Sequence, residues 1–173
     1  MSAVYRVRQF ARATGAWIRR EDVAEALPSQ YLSEQAVDLF LAMPRYDQQH
    51  ALNVFYTLQQ QGHDQPDLLV AALLHDVGKS PSPGGGLRLW HRVAVVLMRV
   101  LWPSLLDRLG SDMSEDWRRP FYIQQRHAAI GAELARQAGC SLLTVDLIRH
   151  HEDELGYRDE MLLAVLQAAD SVN

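Results

Sequence analysis

Apolar residues recur at spacings near 3.6 over residues 30–42 and 46–61, the period of helices that bury one stripe and leave the opposite face in water. In the second segment Ala51, Leu52, Phe55 and Leu58 fall on one inward stripe, which leaves His50, Asn53 and Thr57 on a common side. The pattern changes at Pro66. Leu68 to Leu74 reads Leu-Leu-Val-Ala-Ala-Leu-Leu and is apolar on every face, so it predicts a helix buried all round. Asp64 is its expected N-cap, and Gly78 and Pro81 its expected end. Helical patterns return over 87–101, 119–138, 142–152 and 159–170. Ser80-Pro-Ser-Pro-Gly-Gly-Gly86 carries too much proline and glycine for regular structure and predicts a mobile flap. With no strand alternation, internal repeat or linker, the fold class expected is all-α, a single-domain helical bundle.

Two arginine-rich stretches bear on where the chain resides. Residues 1–28 hold Arg6, Arg8, Arg12, Arg19 and Arg20 before the first acid, Glu21, as a transit peptide or interfacial helix would. The plainer expectation is an amphipathic first helix packed on a domain of residues 29–173, with Val4, Val7, Phe10 and Ala11 inward and Gly15 as its stop. The segment from Leu87 to Trp102 is apolar but interrupted by Arg88, Arg92 and Arg99, too short and too charged to span a membrane. A helix packed on the bundle with its arginines snorkelling at the edges is expected in preference to one lying on a membrane or another subunit.

Composition narrows the partners. A chain of 173 residues with 48% hydrophobic content is one ordinary domain with room for a core. A net charge of -4 argues against a nucleic-acid polymer, whose phosphate backbone calls for a basic surplus. The single cysteine, Cys140, excludes an internal disulfide and suits a reducing, cytoplasmic setting. Lys79 is the only lysine, the other 16 basic residues being arginine.

The chemistry begins where the buried helix should end, at Ala71-Ala-Leu-Leu-His75-Asp76-Val-Gly-Lys79. Aspartate is almost never fully buried unpaired, and a cation is the strongest compensation when histidine sits beside it. Further donors stand on other predicted helices: His50, His127, the pair His150-His151, and Asp170. Any one of these histidines is more simply a satisfied core residue. Together, five helices each deliver one or two nitrogen or carboxylate donors, and helical bundles host metal sites built this way. His63 and His91 lie in polar surroundings and are expected to be solvated.

A histidine, then Ala-Leu-Leu-His-Asp-Val-Gly-Lys some 25 residues on, then later histidines and a terminal aspartate, resembles the HD-domain family of metal-dependent phosphohydrolases over residues 45–173. The resemblance implies a first metal set of His50, His75, Asp76 and Asp170. His127, His150 and His151 would be the additional ligands of two-metal members, with Asp76 as the bridge. A metal-held water loses its proton near a pKa of ~7, which supplies a hydroxide for in-line attack on phosphorus. Asp76 and Lys79 are the expected catalytic pair, Lys79 as the charge facing the transition state or leaving group. Imidazole-rich ligation suits iron, manganese, cobalt, nickel or zinc. Arg45, Arg126 and Arg149 are candidates for holding substrate phosphates.

The expected activity is hydrolysis of a phosphoester or phosphoanhydride in a nucleotide-like small molecule. His150-His151-Glu152 followed by Gly156-Tyr157 also resembles the HD-GYP cyclic dinucleotide phosphodiesterases, from which Arg158, the short Glu152–Gly156 spacing and Tyr46 depart. Compact, stand-alone bacterial HD phosphohydrolases are the closer likeness in size and ligand order. A non-catalytic metal- or nucleotide-binding module is the remaining alternative.

Overall fold

The computed structural model describes residues 28–79, 119–153 and 160–173. The expected N-terminal helix over 1–28, the loop 80–86, the helix over 87–101 and Gly156-Tyr157 lie outside the described residues. Those described form seven α-helices and no strand: α1 Pro28–Tyr31, α2 Glu34–Leu41, α3 Arg45–Gln60, α4 Pro66–Leu74, α5 Arg119–Gln137, α6 Leu142–His150 and α7 Glu160–Val172, with a 3-10 turn at Val77–Lys79. The fold is all-α, as the periodicity predicts.

Capping decides several boundaries. The segment expected as one helix over 30–42 is split because Ser33 caps α2, its Oγ accepting from the Ala36 amide and donating to the Ala138 carbonyl. Gly62 (φ +83°) and Gly139 (φ +80°) terminate α3 and α5 in the left-handed region, and the His63 and Cys140 amides return to the Leu58 and Ala135 carbonyls. Ser141 caps α6 through the Thr144 amide, and both hydroxyls also donate to Asp67, tying α6 to the start of α4.

Helix α4 runs through the middle and touches α1, α2, α3, α6 and α7. Leu68, Leu69, Ala71, Ala72, Leu73 and Leu74 are all buried, as an all-round apolar helix requires. Phe40, Phe55, Leu58, Ile148, Leu163 and Leu166 close around it. Burial on that scale dominates the stabilisation of a helical domain. It also fixes the end of α4 in the interior, so whatever follows Leu74 begins life inside the protein.

Two expectations at α4 are corrected. Gln65, not Asp64, occupies the N-cap position and makes no side-chain cap bond, and Pro66 follows at the first helical position, where its missing amide costs nothing. The helix stops at Leu74 instead of running to Gly78, and His75 serves as its C-cap. Among the described residues no helix is long and apolar enough to cross a membrane.

Candidate metal centre

His75 and Asp76 follow the buried end of α4, and the 3-10 turn closes behind them with the Lys79 amide donating to the Asp76 carbonyl at 2.9 Å. Four further helices converge on this point: α3 brings His50, α5 His127, the end of α6 His151, and α7 Asp170. His75, Asp76, His127 and His151 are buried, while the side chains of His50 and Asp170 retain 18% and 32% exposure and form the open edge.

The donor atoms fall into two groups that share Asp76: His50, His75 and Asp76 in one, Asp76, His127 and His151 in the other. His50 Nε2 stands 3.2 Å from His75 Nε2, and His127 Nε2 3.3 Å from His151 Nε2. Asp76 Oδ1 lies 3.7 Å from the Nε2 atoms of His75, His127 and His151 alike. Asp170 Oδ1 joins the first group at 2.8 Å from His50 Nε2 and 3.6 Å from His75 Nε2. Donors bonded to one ion at ~2.0–2.2 Å are separated by roughly 3–3.6 Å, so these spacings suit shared cations.

The imidazoles are oriented for that purpose. His75, His127 and His151 each turn Nδ1 to the carbonyl three residues back, on Ala72, Gln124 and Ile148, at 2.9, 2.8 and 2.7 Å. An Nδ1–H donating there leaves the Nε2 lone pair directed at the centre, the arrangement of a histidine ligand with its outer hydrogen bond in place. Lone pairs of His127, His151 and the Asp76 carboxylate then face one another, a repulsive assembly until a cation enters. Asp76 Oδ1 is a buried carboxylate oxygen that Lys79 Nζ approaches to 2.6 Å. Lys79 compensates that oxygen from one side only, and the inward nitrogens of His127 and His151 crowd it with further acceptors that a metal ion would satisfy. The residues fit the group.

Electrostatics divide the site in the same way. Burial holds the His127 imidazole well below its usual value and takes His151 down to about 4, so both are neutral, ligand-ready bases near pH 7. Burial also opposes charge on His75, but Asp76 and Asp170 outweigh it and lift this imidazole to about 9. Its proton occupies the position a cation would take. Burial alone would raise Asp76, yet Lys79, His75 and His127 hold it below the usual carboxylate range.

Six of the seven expected metal donors therefore meet. His150 does not join them: its ring lies with Nδ1 2.6 Å from Asp153 Oδ2 at the end of α6, and His151 supplies the inward nitrogen. Consecutive helical residues point about 100° apart, and here the His150 ring turns to Asp153 while the His151 ring turns inward to His127. Lys79 stands against the site as expected, whereas Arg45, Arg126 and Arg149 are exposed. Asp47, not among the expected site residues, is buried on α3 one turn before His50 and raised to about 8 by burial and by Asp76. Its signal was available, since positions three apart on a helix share a face.

A family model described as the HD domain matches residues 48–172, from the turn before His50 to beyond Asp170. Comparison with curated proteins and with solved structures found no match.

Proposed function

The chain belongs to the HD-domain family, and from that premise we propose a metal-dependent phosphohydrolase that cleaves a phosphoester or phosphoanhydride of a nucleotide-like small molecule at a two-ion site. One observation carries the reading: the buried Asp76 carboxylate belongs to both donor groups at once. His50, His75 and Asp170 would hold one ion and His127 and His151 the other, with Asp76 common to both donor groups. His150 is outside this set.

Divalent ions bound there supply Lewis-acid charge to phosphoryl oxygens and bring the pKa of water to ~7. The chain's own residues do the rest. The Nδ1–carbonyl bonds of three histidines fix ring rotation in advance, so the donors need no rearrangement when substrate arrives. Lys79 offers a permanent positive charge 2.6 Å from Asp76, suited to the negative charge that grows on transferred or leaving oxygens. The partly exposed edge formed by His50 and Asp170 is the side from which a small phosphorylated molecule enters.

Elemental analysis of the purified protein, followed by a panel of mononucleotides, dinucleoside polyphosphates and cyclic dinucleotides, tests the proposal. Asp76→Ala should lose metal and turnover together, whereas His63→Ala, in the turn after α3, should keep both. Equal metal content in wild type and Asp76→Ala overturns the two-ion reading. Full metal with tight nucleotide binding and no turnover would assign a binding module, and cleavage of cyclic dinucleotides alone would assign the phosphodiesterase.

A further inference from the structure

Taken one at a time, the two donor groups are not equally complete. The first has its own carboxylate, Asp170, besides the shared Asp76. The second, Asp76 with His127 and His151, contains none of its own. The residue that follows His151 is an acid. Glu152 Oε1 lies 3.7 Å from His127 Nε2, the same separation that Asp76 Oδ1 keeps from that nitrogen. Its side chain is 40% exposed, close to the 32% of Asp170 on the first group's open side. The backbone that carries it is held: the Asp153 amide donates to the His150 carbonyl at 2.9 Å, and Gln167 of α7 donates to the Asp153 carbonyl at 2.8 Å.

We propose that Glu152 is a seventh donor, the terminal carboxylate of the ion held by Asp76, His127 and His151. The inference rests on the two-ion reading of the site. Each ion then has two imidazoles, the shared aspartate and one outer carboxylate, with Glu152 and Asp170 as counterparts at the solvent-facing edge. The charge balance follows the same logic. A second dication beside Lys79 adds to positive charge already present, and an anionic donor of its own offsets that repulsion. Glu152 already acts on Lys79: burial disfavours the ammonium, and Asp76 followed by Glu152 restores it.

The test is titration of metal-free, full-length protein with Mn2+ by calorimetry, with bound ion counted by electron paramagnetic resonance, for wild type and Glu152→Gln. The amide keeps the shape of a side chain that is 40% exposed, so the fold is preserved. Wild type should take up two equivalents. Glu152→Gln should bind the first with wild-type affinity and the second about tenfold to a hundredfold more weakly, the scale on which changes to a metal's supporting groups are felt. Glu152→Asp should recover part of the loss. Two equivalents of unchanged affinity in Glu152→Gln overturn the assignment and leave the two-ion reading standing. A single equivalent in wild type overturns both.

Discussion

Gly78→Ala probes how the centre is held together. Gly78 does not sit in the left-handed region, so its need for glycine is one of space, not of backbone freedom. A Cβ there would stand 2.0 Å from the His127 carbonyl oxygen, 2.7 Å from the Gly131 nitrogen and 2.8 Å from the His127 carbonyl carbon. All three are backbone atoms of α5, which cannot rotate away as a side chain would. Restoring ordinary contact at ~3.5 Å requires the turn and α5 to part by about 1.5 Å. His127 moves with that backbone, and its Nε2 is 3.3 Å from His151 Nε2 and 3.7 Å from Asp76 Oδ1. Overpacking of this kind costs typically ~1–3 kcal/mol, and backbone against backbone belongs at the upper end. For a domain of this size ~3 kcal/mol lowers the melting temperature by roughly 6–12 °C. Displacement of a positioned group by ~1 Å is also worth about 10²-fold in rate. Thermal denaturation of metal-free protein reads the first effect, and Mn2+ titration with turnover reads the second. Gly131→Ala is the graded comparison, since its Cβ would meet Gly78 N at 3.2 Å and Val77 Cγ1 at 3.3 Å, a milder intrusion. A Gly78→Ala protein with wild-type melting temperature, metal content and turnover would refute the argument.

Lys79→Ala should retain metal, because an ammonium 2.6 Å from Asp76 Oδ1 competes with cations for that oxygen. Turnover should fall by about 10²–10³-fold if its charge serves the transition state, and unchanged kcat would remove it from the mechanism. Asp47 gives a signed pH dependence in chelated protein. Its pKa is raised from 3.8 to about 8 in the fold, so the native state keeps a proton the unfolded chain gives up, and this residue's contribution to stability is lost as pH rises between those values. Asp47→Asn cannot titrate. Its stability relative to wild type should therefore increase from pH 5 to pH 8 by about 3 kcal/mol, measured as urea midpoints; a difference that does not change with pH would refute the burial argument.

Helical periodicity alone located most elements, and the reason is visible in the packing: positions such as Phe55, Leu58 and Leu73 are buried because they share a helix face or an all-round apolar run. The donor set was legible for a related reason. Histidine and aspartate at the inner ends of apolar segments are costly to bury unless something there binds them, and six of the seven expected metal donors converge. What escaped was local geometry of a single residue. Helix α4 ends at Leu74, four residues before Gly78, and Gly78 lies instead where the following turn packs closely on α5, a long-range fact that the local sequence does not announce. Choosing His151 over His150 depends on where α6 stops, since one residue of register rotates a side chain by about 100°. The break at Ser33 was readable from its capping chemistry, but an unbroken apolar stripe concealed it.

The spread of the donors along the chain has a thermodynamic meaning besides geometry. His50 and His75 meet across 25 residues of chain, and His127 and His151 across 24, while Asp170 comes from the last helix. A cation bound among them is a cross-link that closes long loops, and it exists only in the folded ensemble. At free metal a hundredfold above its dissociation constant, such linkage adds ~2.7 kcal/mol to folding for each ion. Metal supply would then set the lifetime of the folded chain as well as its chemistry, so starvation for the ion would deplete the protein itself.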